Sequence, residues 1–112
     1  MNLTATSDRP ISLSQTHSPR EILESLKQGK SLAQANLQGM DLSQMDFSGA
    51  NLSGANLIAV NLSKANLSNA NLKGADLRGA NLRNANLSGA DLRESYLNRA
   101  ELQGCDLRDA EL

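Results

Sequence analysis

The sequence predicts an all-β solenoid, in which a repeatedly bent strand winds around an apolar core. A large apolar residue returns every five residues from Leu32 to Leu112. The residue two before it is usually small, most often Ala, and the residue two after it is often Gly. A fixed short period of this kind is typical of repeat architectures. It excludes a helix, on which successive large residues would lie about 140° apart, and a straight strand, on which they would alternate between faces.

A strand that bends once per repeat can point every large residue inward despite the five-residue period. The large residue and the small residue two before it share one face of the strand, so both can point inward. Asn or Asp directly precedes most of the large residues and faces outward. We expect the bend at the Gly-rich position, because Gly accepts backbone angles that are strained for other residues. Repeated bends in one sense close a polygon that stacks coil upon coil.

Two segments precede the repeats. Residues 1–17 are rich in Ser and Thr and lack periodicity, which predicts a flexible or irregular lead-in. Residues 18–29 predict a short capping helix, from about Pro19 to Gln28. Ser18 is placed to be the N-cap, Pro19 the first helical residue and Glu21 the third residue of a capping box. The apolar side of this helix would lie over the first coil; it consists of Ile22, Leu23 and Leu26.

Composition excludes several classes of function. The net charge of -1 is too small to attract nucleic acid or a membrane surface. The single Cys cannot form an internal disulfide, and His17 alone makes neither a metal site nor a catalytic pair. Cys105 replaces an inward-facing Ala, which predicts a small core residue. We therefore expect no catalytic residue, no metal, no cofactor and no small-molecule substrate.

The repeats resemble those of the pentapeptide-repeat family, whose signature is A(D/N)LXX. The segments 50–54 (ANLSG) and 75–79 (ADLRG) match it fully, and the resemblance covers about residues 31–112. It implies a right-handed quadrilateral parallel β-helix with twenty residues per coil. Residues 30–112 would then form a β-helix of about four coils.

One side of that β-helix is a candidate contact surface. Four-sided stacking would align Tyr96 with Asp76, Asn56 and Asn36, and would place Ile58 on the same face. Tyr96 stands where the repeat has Asn or Asp, and Arg99 follows soon after. An outward Tyr, Ile and Arg together are typical of a protein-binding surface. Drift in a tolerant repeat is the alternative. Lys73, Arg78 and Arg83 would instead point from three different sides and be solvated.

The last coil is a second candidate surface. Open strand edges at the end of a β-helix favour pairing, so we expect homodimerisation through this coil, with a frayed end in a monomer as the alternative. Its large residues would form an uncovered layer; they are Leu97, Leu102, Leu107 and Leu112.

These features predict a non-catalytic protein–protein interaction or scaffold module with an unidentified protein partner. The family resemblance implies one alternative, a DNA-mimicking inhibitor or protector of a type II topoisomerase such as gyrase. Residues 31–112 carry nine acidic and seven basic residues, a net charge of about -2, whereas duplex DNA carries roughly one charge per 1.7 Å. Charge therefore argues against this alternative. Without a signal-peptide-like apolar stretch or a membrane span, the expected compartment is the cytoplasm.

Overall fold

The computed structural model describes residues 18–112, which comprise one helix followed by the five-residue repeats. Helix α1 spans Pro19–Lys27, and both hydrogen bonds of the predicted capping box are present. The Glu21 N–H donates to Ser18 Oγ at 3.2 Å, and the Ser18 N–H donates to Glu21 Oε1 at 2.9 Å. These bonds satisfy N–H groups that a helix start otherwise leaves without a partner. Residues 1–17, including His17, lie outside the described residues.

Each repeat turns the chain at one fixed position. The N–H three residues after each large residue donates to its carbonyl, as in the 3.1 Å bond from Ala35 to Leu32. The residue two after each large residue has a positive φ, as a type II turn requires. The expected bend is therefore where the sequence places it, although Gly supplies only part of these positions. The described non-Gly residues with positive φ are Gln34, Gln44, Ala59, Lys64, Asn69, Asn84, Glu94, Arg99 and Asp109.

Successive coils pair in parallel at an offset of twenty residues. Twelve parallel bridges join residues between 36 and 111, each to the residue twenty further on. At Asp76, for example, the N–H donates to Ala55 O at 3.0 Å and the carbonyl accepts from Leu57 N–H at 2.8 Å. Four repeats therefore separate each residue from its neighbour in the next coil. The backbone bonds run between coils, as between the strands of a parallel sheet.

The offset sorts the repeats into four outer faces, which we number in chain order. The first face carries the large residues Leu32, Leu52, Leu72, Leu92 and Leu112. The second carries Leu37, Leu57, Leu77 and Leu97. The third carries Leu42, Leu62, Leu82 and Leu102, and the fourth carries Phe47, Leu67, Leu87 and Leu107.

The core is a column of these large residues with the small residues between them. Every large residue from Leu32 to Leu92 is at most 2% exposed, and most of the Ala residues that accompany them are buried too. Ile22 of α1 is fully buried and belongs to the same apolar cluster. Leu23 on the same helix is 41% exposed, so only part of the predicted apolar side of α1 is covered. Within residues 18–112 no helix combines the length and apolar character needed to cross a membrane.

Burial decreases through the last coil. Leu97 and Leu102 are partly buried against the core, whereas Leu107 is 36% and Leu112 77% exposed. These four side chains are the ones for which the sequence predicts an uncovered layer. Their part in a homodimer remains a prediction.

Candidate protein-binding face

The second face brings the three candidate contact residues together. Tyr96 pairs with Asp76 in the parallel ladder, since its N–H donates to Ala75 O at 3.0 Å and its carbonyl accepts from Leu77 N–H at 2.8 Å. The Tyr96 backbone is therefore held in register while its side chain is 57% exposed. Ile58 lies two coils before Tyr96, and its apolar side chain is half-buried. Its N–H donates to Asn56 Oδ1 at 3.1 Å, which fixes the backbone there.

These residues surround a shallow depression on the outside of the β-helix. Ala59 and Gly79 occupy the turn position in successive coils and carry little or no side chain, so the surface is low there. Larger side chains stand around them, and the depression has a volume of about 530 Å³. Its lining residues are Ile58, Ala59, Arg78, Gly79, Tyr96, Asn98 and Arg99.

Arg78 is a residue of this site that sequence reasoning missed. Its Nε donates to Asp76 Oδ1 at 2.8 Å and its Nη2 to Asp76 Oδ2 at 2.6 Å, a bidentate ion pair. The hydrogen bond from Arg78 is the main reason why the pKa of Asp76 is lowered. The hydrogen bond to Asp76 is likewise the main reason why the pKa of Arg78 is raised, and the nearby Tyr96 adds a smaller contribution. Arg78 thus stays charged and oriented beside the aromatic ring.

The signal that could have found this pairing is the tripeptide Asp-Leu-Arg. It occurs three times in the sequence, and in each case the Arg side chain forms an ion pair with the Asp two residues before it. Arg93 Nη2 lies 2.8 Å from Asp91 Oδ2, and Arg108 Nη2 lies 2.7 Å from Asp106 Oδ2. Arg78, with its ion pair, lines a depression that also contains the exposed Tyr96 ring and the half-buried Ile58 side chain.

The charge of the second face differs from that of the other three. Over residues 31–112 it holds one carboxylate, Asp76, and two guanidinium groups, Arg78 and Arg99, a net charge of +1. The first, third and fourth faces carry -1, 0 and -2. Arg99 makes no ion pair with another described residue, whereas Arg83 on the third face binds Glu101 at 3.0 Å. The second face therefore presents an uncompensated positive charge.

Carboxylates elsewhere serve the repeats themselves. Asp41 Oδ1 accepts from the Ser43 N–H at 3.1 Å and from its hydroxyl at 2.8 Å, and Asp46 binds Ser48 in the same way. Side-chain hydrogen bonds from these serines are the main cause of the lowered pKa of both carboxyl groups. This is the local side-chain-to-backbone bonding that Asp and Asn form in turns. Among residues 18–112 no group of three or more potential metal ligands comes together.

Cys105 has the surroundings of a core residue. Its Sγ donates to Leu82 O at 2.8 Å, and the side chain is partly buried against the apolar cluster. Burial raises the pKa of the thiol. A thiol with a raised pKa holds little of the thiolate form that attacks electrophiles. The geometry agrees with the sequence-based interpretation of Cys105 as structural.

The repeats match a family model, and solved structures share the fold. The model for pentapeptide repeats matches residues 31–63, 61–99 and 75–112. A pentapeptide repeat protein from Nostoc Pcc 7120 is 35% identical with a TM-score of 0.80, over 89% of this chain and 79% of that protein. One from the Arabidopsis thaliana thylakoid lumen is 31% identical with a TM-score of 0.67, over 73% of this chain and 61% of that one.

The chain thus spans less than two thirds of the Arabidopsis protein. No curated protein matches the sequence. The relatives imply a right-handed, four-sided β-helix, in agreement with the twenty-residue offset of the bridges. The chain belongs to the pentapeptide repeat family.

Proposed function

We propose that the chain is a non-catalytic scaffold that binds a partner protein through its second face. The observation that carries the proposal is the meeting of Ile58, Tyr96 and Arg99 around one depression, although Ile58 lies two coils away from the others. Tyr and Arg are the residue types enriched at the energetic centres of protein interfaces. The polar surface of the repeats, mostly Asn, Ser and Asp, gives no comparable cluster.

The rigidity of the site supports a binding role. Most of the depression residues have a backbone hydrogen bond to a neighbouring coil, as in the 2.9 Å bonds from Ala59 N–H to Arg78 O and from Gly79 N–H to Asn98 O. A preformed surface loses little conformational entropy when a partner binds. The core beneath it is filled by buried Leu and Ala, which leaves no enclosed substrate cavity under this face. This packing supports binding rather than turnover.

Charge opposes the alternative role as a DNA mimic that acts on gyrase. A mimic needs a continuous acidic surface, yet the four faces differ in sign and the most acidic carries only -2. In a gyrase supercoiling assay we expect no inhibition and no quinolone protection at micromolar protein. Either effect would favour the alternative.

The finer architecture is also a proposal: a β-helix of about four coils with α1 as its N-terminal cap. The complete burial of Ile22 in the apolar cluster supports the cap. Ile22→Ser should expose the first coil and lower stability by about 2–4 kcal/mol. Leu23→Ser, on the exposed side of the same helix, is the control and should change stability little. Equal losses would argue against the cap.

Two further expectations are tested separately. Homodimerisation through Leu97, Leu102, Leu107 and Leu112 is supported by the exposure of the last two, and light scattering at high micromolar concentration measures it. A monomer at that concentration would exclude it. The cytoplasm is the proposed compartment, and fractionation decides between it and an organelle lumen such as that of the Arabidopsis relative.

A quantitative pull-down from the native host tests the binding role. The double variant Ile58→Ser and Tyr96→Asn restores repeat-like residues and should remove the specific partner. The control is Ser68→Asn with Asp109→Asn on the fourth face, which should retain it. A partner that binds both variants equally would overturn the proposed use of the second face.

A further inference from the structure

We infer that the depression on the second face binds an extended segment of a partner protein that presents a carboxylate beside an aliphatic side chain. This inference rests on the proposed binding function and names the chemistry of its partner. It follows from three features of the depression: an oriented guanidinium, a second guanidinium without an ion pair, and an apolar contact area in the same depression.

Arg78 is prepared to bind a second acceptor. A guanidinium has five N–H donors, and the bonds to Asp76 use one on Nε and one on Nη2. The remaining donors belong to a group whose side-chain torsions are already restrained by the ion pair. A ligand oxygen that binds there therefore avoids much of the entropy loss of fixing a free Arg. Asp76 thus acts as a positioning residue for Arg78.

Arg99 supplies the net positive charge of the site, because Asp76 neutralises the charge of Arg78. It lies at the same depression and makes no ion pair with another described residue. With Arg99 included, the second face is the only face with a net positive charge over residues 31–112. Complementary potential attracts an anionic partner and fixes its orientation. One net charge is far too little for nucleic acid, which is held by many phosphate contacts.

Ile58 and Tyr96 supply the apolar part of the site. Tyr96 is 57% exposed and Ile58 half-buried, and the small residues Ala59 and Gly79 line the same depression. An aliphatic side chain in this depression would cover the ring and the isoleucine together. Its removal from water would favour binding in proportion to the apolar area covered. The guanidinium groups then select a carboxylate next to that side chain.

The test uses nuclear magnetic resonance on the full ¹⁵N-labelled chain. The probe is an acetylated, amidated peptide Glu-Ser-Leu-Ser-Glu, and two matched probes replace Glu by Lys or Leu by Ser. We expect the first probe to shift the amides of Ile58, Arg78 and Arg99 with saturation, and both matched probes to bind at least about threefold more weakly. Equal binding of the Lys probe, or no saturable shift on this face, overturns the inference.

Variants with matched positions separate charge from fold. Arg99→Glu should weaken the first probe about three- to tenfold. Lys64→Glu makes the same charge change at the same turn position on the third face, with φ of 62° against 63° at Arg99, and should change binding less than about twofold. Equal effects of the two variants would overturn the inference. Asp76→Asn releases Arg78 but also raises the net charge of the second face from +1 to +2. Weaker binding of the first probe would show that the positioning of Arg78 outweighs the added charge, and unchanged or tighter binding would contradict the positioning role of Asp76.

Other occupants give different results. Inorganic phosphate that produces the same shifts at the same concentration would show a general anion site and overturn the inference. Shifts that depend on protein concentration without any peptide would show that a second copy, through its acidic fourth face, is the occupant. If capture in the pull-down depends on the second face but the Glu probe binds no more tightly than the matched probes, the inferred chemistry of the partner segment is wrong. The proposed binding function then stands.

Discussion

Asn69 and Gly89 occupy the same turn position in successive coils, and the Asn69 side-chain oxygen fills the space that a Cβ atom at residue 89 would need. Gly79 has the same φ of +70° but nothing within 4 Å of such an atom. Gly79→Ala should therefore lower the free energy of unfolding only by the cost of placing Ala in a left-handed backbone conformation, about 1–2 kcal/mol. Gly89→Ala should lower the free energy of unfolding by more, because the Asn69 side chain must move as well.

Urea unfolding of the two variants checks this difference in stability. The double variant Asn69→Gly with Gly89→Ala removes the collision and should recover the extra loss, so that the two substitutions are not additive. Equal destabilisation by Gly79→Ala and Gly89→Ala would show that backbone strain alone governs these positions.

The contribution of each large residue should follow its burial along the β-helix. Leu77 is fully buried, and Leu77→Ala should lower the free energy of unfolding by about 2–5 kcal/mol through lost apolar contact and a cavity. Leu112 is 77% exposed, so Leu112→Ala is the matched control and should cost less than about 0.5 kcal/mol. Urea titration followed by circular dichroism measures both. A large loss at Leu112 would mean that its side chain is covered in solution.

The positions of the core and the turns could be predicted from the sequence because both depend on a strict period. One pairing offset determines that Tyr96 stacks on Asp76 and that Ile58 lies on the same face. The Asp76–Arg78 ion pair could not be read from the period, since it depends on how a long side chain folds back along its own repeat. Whether non-Gly residues such as Lys64 adopt a positive φ was equally inaccessible, because inter-coil bonds override local preference there.

The Asp-Leu-Arg ion pairs should make stability fall in acid. Hydrogen bonds from Arg93 and Arg108 lower the pKa of Asp91 and Asp106 from 3.8 to about 2. A lowered folded-state pKa adds stability that is fully present above the unfolded value and is lost as the pH falls towards the folded value. The urea midpoint should therefore stay constant from neutral pH down to about 5 and decrease between about pH 4 and pH 2.

The variant Asp91→Asn with Asp106→Asn isolates this contribution. It should be less stable than the parent chain at neutral pH, and the difference should shrink as the pH falls from about 4 through 2 and vanish only below about pH 2, where the parent carboxyl groups are protonated too. Because the groups are solvent-accessible, high salt should reduce the difference at neutral pH. A difference that is independent of pH would assign the loss to packing or turn geometry instead.

Cys105 should react slowly with thiol reagents while the chain is folded. Its Sγ donates to Leu82 O, and burial raises its pKa, so both access and thiolate content are low. Labelling with a disulfide reagent near pH 7.5 should be slower than labelling of free glutathione and should accelerate in urea concentrations that unfold the chain. Cys105→Ala loses the bond to Leu82 O but restores the usual repeat residue, so the free energy of unfolding should change by less than about 1 kcal/mol. Labelling in the folded chain as fast as that of glutathione would contradict a structural thiol, because it requires an exposed thiolate at a position that the repeat directs inward.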